Sequence, residues 1–457
     1  MKKFLLSAAL MLIACASAFA ATDGQTYAPV NDIKIVNSWI LDRVHTPNVF
    51  PKMDLCNTRS RTAVMSNGVI YISRSEAIAT IVGTDTISQS VIYRLDAKTG
   101  EELPTLNVTL DGAPYGVFLG VNSIGVDNFG HLWVAPYTSE KATSVPLYQL
   151  DGETGALTLI ADLSKGDKIA RTDYYDVMGD ITRQQAECNV MNAGTQVATV
   201  YRWHCDKGES TFEGGFEGDI SLEITDFYPE TVTEWSYGPT IKMCLGTSDD
   251  DMYAGELFYV DGFNSAPILY DVTGSLIDSF EEVDSELFPE AGANGCAEFT
   301  LNDRNFLVYT IHQYAGTGHG CEANIVELGE GMSLGGMKKY WQIPQDSLGQ
   351  VSDGGNRVHS FNVEYGTEGG QDMVTVFDYK CYNGMAVYKI GKGVSGDEPS
   401  GLKGDVNGDG VVNTSDVSAL LNIILGSAET VPAADVNGDG TVNTSDVTAL
   451  INIILGV

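Results

Sequence analysis

Positive charge is scarce in this chain. Twenty-six Lys and Arg stand against 61 Asp and Glu over 457 residues, a formal net charge of −35. That balance repels a polyanion, so DNA and RNA are excluded as partners. Long apolar runs are missing as well. Beyond residue 20 no segment approaches the roughly eighteen uninterrupted apolar residues that mark a membrane helix. Helical periodicity is nearly absent between residues 21 and 392. None of the eight cysteines stands in a C-x-x-C pair, which removes zinc-ribbon and thioredoxin-type chemistry. G-x-S-x-G, H-E-x-x-H and P-loop patterns are lacking too, so no catalytic centre is announced by a motif.

What is present begins with residues 1–20, "MKKFLLSAALMLIACASAFA". Two lysines, an apolar run and Ala18-Phe19-Ala20 make a secretory signal peptide with cleavage after Ala20. A lipobox-like "LIAC" offers an alternative, acylation of Cys15 and a lipid anchor at the cell surface. Cleavage removes Lys2 and Lys3 and no acid, taking the charge from −35 to −37. Cys56, Cys188, Cys205, Cys244, Cys296, Cys321 and Cys381 remain. Three disulfides with one free thiol, or buried free thiols throughout, fit that set equally.

At the other end "GDVNGDGVVNTSDVSALLNIILG" (404–426) is echoed by "ADVNGDGTVNTSDVTALINIILG" (434–456). Counted from Asp405, oxygen-bearing side chains fall at positions 1, 3, 5, 9 and 12 of a loop: Asp405, Asn407, Asp409, Asn413 and Asp416. The second copy supplies Asp435, Asn437, Asp439, Asn443 and Asp446. Val411 and Thr441, at position 7, offer backbone carbonyls, and Gly410 and Gly440 permit the sharp turn. Hard oxygen donors on alternate residues of a tight loop suit calcium, one ion per copy. Each loop runs into one helix that stops at Gly426 or Gly456, and no comparable helix enters it.

Two loop-helix units of this kind resemble a type I dockerin, over residues 404–457. The resemblance implies two calcium ions and docking onto a cohesin module of a scaffold. It also implies partner contacts by Thr414 and Ser415 and by their repeats Thr444 and Ser445. Identical pairs would allow docking in two orientations. Further along the helices dockerins often carry Lys or Arg, but Leu421, Asn422, Ile451 and Asn452 stand here, which leaves the partner's identity open. The apolar stripes are expected mainly to pack the helices together.

Residues 21–392 are a repeat. "VIYRLDAKTG", "PLYQLDGETG", "TVYRWHCDKG", "ILYDVTGSL", "NIVELGEG" and "AVYKIGKG" share an anchor at Tyr93, Tyr148, Tyr201, Tyr270, Val326 and Tyr388. The average step is about 59 residues. Strand hairpins such as "TAVMSNGVIYIS" precede the anchors. Units of this length with about four strands point to an all-β propeller, of six blades or of seven if the longest step hides one. "DIKIVNSWIL" (32–41) has no unit of its own and is expected to complete the last blade, which hides its edges. The anchors are expected to pack between blades. A flexible linker at 393–403 would join this domain to the C-terminal one.

In a propeller the inner strands line a channel. Those strands are expected at 61–65, 123–127, 174–179, 240–244, 294–299 and 359–364, which brings Arg61, Asp127, Asp176, Lys242, Glu298, His359 and Glu364 forward. Asp176 with Glu298 is a candidate acid–base pair. His312, His319 and Glu322 in a Gly-rich stretch, and Asp249-Asp250-Asp251, are weaker metal candidates. The whole reads as a secreted protein whose propeller binds glycan or protein and whose dockerin recruits it to a scaffold for polysaccharide breakdown. The alternative is a carbohydrate-active enzyme, a glycoside hydrolase or polysaccharide lyase, with its active site in the channel.

Overall fold

The computed structural model describes residues 27–394 and 404–455, except 51–52, 54–59, 83–84, 167–169, 195–198, 222–239, 245–255, 263–264, 281–286, 288–294, 313–320, 350–358, 405, 408–411, 429–430 and 438–440. The signal segment with Cys15, Cys56, Asp249-Asp250-Asp251, His319 and most of the linker lie outside the described residues. So do Asp405, Asp409, Val411 and Asp439.

The N-terminal region is a six-bladed β-propeller. Blades I to V begin at their inner strands, Ser60–Ser66, Ser123–Val126, Tyr175–Gly179, Thr240–Met243 and Cys296–Leu301. Blade VI begins with His359–Glu368. All six match the expected channel strands. Each blade continues outward through antiparallel neighbours, as in His359–Glu368, Gln371–Lys380 and Gly384–Gly391 of blade VI. Its fourth strand is Lys34–Asp42 from the chain's beginning, with Trp39 opposite Val387 and Ile40 opposite Ala386. The ring is closed by its two ends, as the unpaired N-terminal strand predicted.

Blades stack face to face, so the middle strands are covered on both sides. That is why Cys188–Ala193 and Leu132–Ala135 are buried at every position and show no polar alternation. Outermost strands such as Glu102–Asn107 alternate with solvent instead. The core is therefore six clusters, one per blade interface. The repeat anchors divide one to a cluster. Tyr388, Tyr93, Val326, Tyr148, Tyr201 and Tyr270 each pack in a different one.

The long step from Tyr201 to Tyr270 holds no further sheet among the described residues. Two additions were not legible. A hairpin, Ile78–Val82 with Asp85–Gln89, is inserted in blade I, and Thr109–Leu110 with Ala113–Pro114 extends the outer edge of blade II. Hairpin tips follow the expected chemistry. Asn67-Gly68 and Asn302-Asp303 take positive φ at both positions, for Asn67 and Gly68 51° and 78°. The C-terminal part has two helices, α1 (Thr414–Ile424) and α2 (Thr444–Leu455).

Candidate functional site

The channel is sewn together by side chains. Inner strands of neighbouring blades are too far apart to share a continuous backbone ladder, and polar side chains reach across instead. Thr62 Oγ1 accepts from Ile124 N–H at 2.9 Å, Asp127 Oδ2 from Ile181 N–H at 2.8 Å and Asp176 Oδ2 from Met243 N–H at 2.7 Å. Asp261 Oδ2 accepts from Gly295 N–H at 2.9 Å and Tyr365 Oη from Thr300 N–H at 3.1 Å. Asn362 Oδ1 accepts from Met65 N–H at 3.1 Å, and every interface is thereby spanned. At the closing seam the device becomes a ladder, because Ser360 and Glu364 take the N–H groups of Ala63 and Asn67.

These bonds decide what the expected channel residues do. Asp127 also holds its own hairpin, accepting from Phe129 and His131 N–H and from the His131 ring. Asp176 pairs with Lys242 Nζ at 3.0 Å. Loss of solvent works against the Lys242 charge, but the Asp176 carboxylate outweighs it and raises the pKa. Burial raises the pKa of Glu364, against the pull of the Asn67 N–H. Arg61 donates to Asn122 Oδ1 at 2.8 Å and Tyr174 Oη at 3.1 Å. Glu298 as well as Asp176 favours the charge on Lys242.

His359 differs. Its Nε2 faces Asp378 Oδ1, both side chains are fully buried, and Nδ1 has no hydrogen-bond partner among the described residues. Asp378 was missed by sequence reasoning, as was Asp261. So was the cluster of Asp127, His131 and Asp180. In that cluster Asp180 accepts from the Thr182, Gln184 and Gln185 N–H groups, and the arrangement fixes two turns. His312 sits opposite Glu322 in the register of blade V.

Two cavities lie along the channel. One of about 100 Å³ is lined by the beginnings of the inner strands, including Thr62, Asp176, Lys242, Cys296 and His359. The other, about 250 Å³, is lined by their ends, with Asn67, Asn128, Glu298, Phe361, Glu364 and Tyr365 among its walls. Lys242 and Phe361 line both.

In the C-terminal part the described residues of the two loops bond alike. Asp416 Oδ1 accepts from Asn407 N–H at 3.1 Å and Oδ2 from Asn413 N–H at 2.8 Å; Asp446 repeats this with Asn437 and Asn443 at 3.0 and 2.8 Å. Both acids are fully buried. Asn413 caps α1 by accepting from Ser415 N–H at 2.7 Å, and Asn443 does the same for α2. The donor set is oxygen throughout, which fits a hard cation. Gly426, at φ 74°, ends α1 as expected.

Leu420, Ile423 and Leu450 are buried between the helices with Val406, Ala434 and Val436. Leu421 and Ile451 are 41% and 40% exposed, and Asn422, Asn452, Thr414, Ser415, Thr444 and Ser445 are exposed too. The stripe is therefore divided between a core and an outer face.

Residues 403–455 match the family model of the dockerin type I domain. Such domains bind calcium and dock onto cohesin modules, and proteins bearing them are typically extracellular. No curated protein matches the chain. Among solved structures, a DUF4623 family protein from Bacteroides eggerthii is similar at 13% identity, with a TM-score of 0.52 over 80% of this chain and 77% of that one. This likeness is one of fold. An α-L-arabinanase from Penicillium chrysogenum follows at 12% identity and TM-score 0.39, over 74% and 95% of the two chains. A sialidase from Trypanosoma rangeli has 10% identity and TM-score 0.36, over 82% and 60%. No helix among the described residues is long and apolar enough to cross a membrane.

Proposed function

We propose that this is an exported binding protein. Its dockerin holds two calcium ions, one in each loop, through Asp405, Asn407, Asp409, Val411, Asn413 and Asp416 and through Asp435, Asn437, Asp439, Thr441, Asn443 and Asp446. The exposed rows Thr414, Ser415, Leu421, Asn422 and Thr444, Ser445, Ile451, Asn452 meet a cohesin module of a scaffold or cell-surface protein. The propeller presents a glycan-binding channel beside other components of a polysaccharide-degrading assembly.

One observation carries the non-catalytic reading. The channel-lining carboxylates Asp127, Asp176 and Glu364 each accept a hydrogen bond from the neighbouring blade, which gives them a part in holding the ring together. A second reading, a glycoside hydrolase or polysaccharide lyase acting in the channel, draws on His359, whose imidazole is oriented by Asp378 and has a vacant Nδ1.

Turnover separates the two. The full-length protein is incubated with a panel of plant polysaccharides while reducing ends and unsaturated sugars are measured. Saturable retention without product supports the binder, and product lost on His359→Ala supports the enzyme. For the plug, pull-down from secreted material with calcium should capture a cohesin-bearing protein, and Asp405→Ala with Asp435→Ala should abolish capture. Normal capture by that double variant would end the docking account.

A further inference from the structure

The 250 Å³ cavity at the ends of the inner strands combines features that select a ligand. Tyr365 stands at its rim, 57% exposed. Its hydroxyl is fixed by the Thr300 N–H at 3.1 Å, so the ring is held in place and offers a preorganised apolar face. Phe361, the next residue but one on the same face of the strand, lies deeper in the same wall. Around these rings stand hydrogen-bonding groups of fixed geometry. Asn67 and Asn128 are exposed on two hairpin tips, and Glu298 and Glu364 line the wall.

Charge narrows the choice. Asp127, Glu298 and Glu364 outnumber Lys242, the single cation among the described lining residues, and Lys242 is already paired with Asp176. A carboxylated or sulfated ligand would be repelled. Flat apolar faces edged by amides and carboxylates, with no surplus cation, suit a neutral ring bearing hydroxyls.

Val126, Lys242, Phe361 and Asn362 line both this cavity and the smaller one, so the two adjoin along the channel.

We propose that this mouth binds a sugar unit of a neutral glycan, stacked on Tyr365 and hydrogen-bonded by Glu298, Asn67 and Asn128. The inference rests on the glycan-binding reading above and gives it a location and a substrate charge.

The test is calorimetric titration of the full-length protein with calcium present. The probes are neutral gluco-, xylo-, manno- and arabino-oligosaccharides of one to six units, with oligogalacturonate as the acidic comparison. One neutral series should bind, and oligogalacturonate should not. Tyr365→Ala should weaken binding roughly tenfold, the weight of one well-placed aromatic contact. Glu298→Gln, which keeps shape and removes charge, should weaken it severalfold with an unchanged melting temperature, and this holds the test open if the first variant is unstable. Oligogalacturonate that binds as tightly as the neutral series would overturn the charge argument. Undiminished binding by both variants would overturn the location and leave the glycan reading standing. Absence of binding to every neutral series would remove both.

Discussion

Asp261 shows how much a single buried carboxyl governs here. Burial pushes its pKa up to about 7, against the pull of the Thr240 hydroxyl and the Gly295 N–H. In the unfolded chain the same group titrates near ~3.9. The folded state therefore keeps its proton longer, and stability falls as pH rises from about 4 to about 7. A shift of this size corresponds to roughly 4 kcal/mol at most. Asp261→Asn can still accept from Gly295 N–H while its amide donates to Thr240, and it has no proton to lose. We predict that urea midpoints of the native protein decline between pH 5 and pH 8 and that those of Asp261→Asn decline less. Asp378 is also raised by burial, against the opposing charge of His359, so some slope remains in the variant. Identical slopes in the two proteins would acquit Asp261.

Elements were largely legible because they repeat. The Tyr anchors, the Asn-Gly hairpins and the orphan strand 32–41 each reported a local rule, and the structure obeys all three. The added hairpins at 78–89 and 109–114 repeat nothing and had no such signal. The links between blades were hidden for a different reason, since pairing across an interface joins residues far apart in sequence, as with Asn362 and Met65. One clue was available. Second strands carry a buried polar residue near one end, at Ser73, Asn192, Asp261, Thr310 and Asp378. Read together, these five would have marked a polar belt around the channel. The closing seam invites its own test. Trp39 is buried and donates from Nε1 to Ala97 O at 2.8 Å, tying the N-terminal strand to blade I. Trp39→Ala should cost about 3–5 kcal/mol through lost packing. Asn362→Leu, which strands the Met65 N–H, should cost about 1–3 kcal/mol. Denaturation followed by circular dichroism measures both, and a cost near zero for Asn362→Leu would show that the seam bonds are dispensable.

Over the whole molecule, stability divides by mechanism. The propeller closes on itself through six apolar interfaces. The C-terminal helices have 11 and 12 residues, too short to persist alone in water, and each buries few apolar side chains. Their loops gather Asp405, Asp409 and Asp416, then Asp435, Asp439 and Asp446, with no Lys or Arg after Lys403 to balance them. Like charges brought together without a cation oppose folding, so binding energy for calcium becomes folding energy for these helices. A chelator should therefore remove the helical circular dichroism of the full chain and leave its strand signal and the thermal transition of the propeller in place. Restoring calcium should recover the helices, and calorimetry should count two equivalents. Asp446→Ala should reduce the count to one and destabilise both helices, because Leu420 and Leu450 share one small core. Helices that survive the chelator would mean that the apolar contact between α1 and α2 suffices without the ion, and the calcium dependence of docking would then have to arise at the cohesin surface itself.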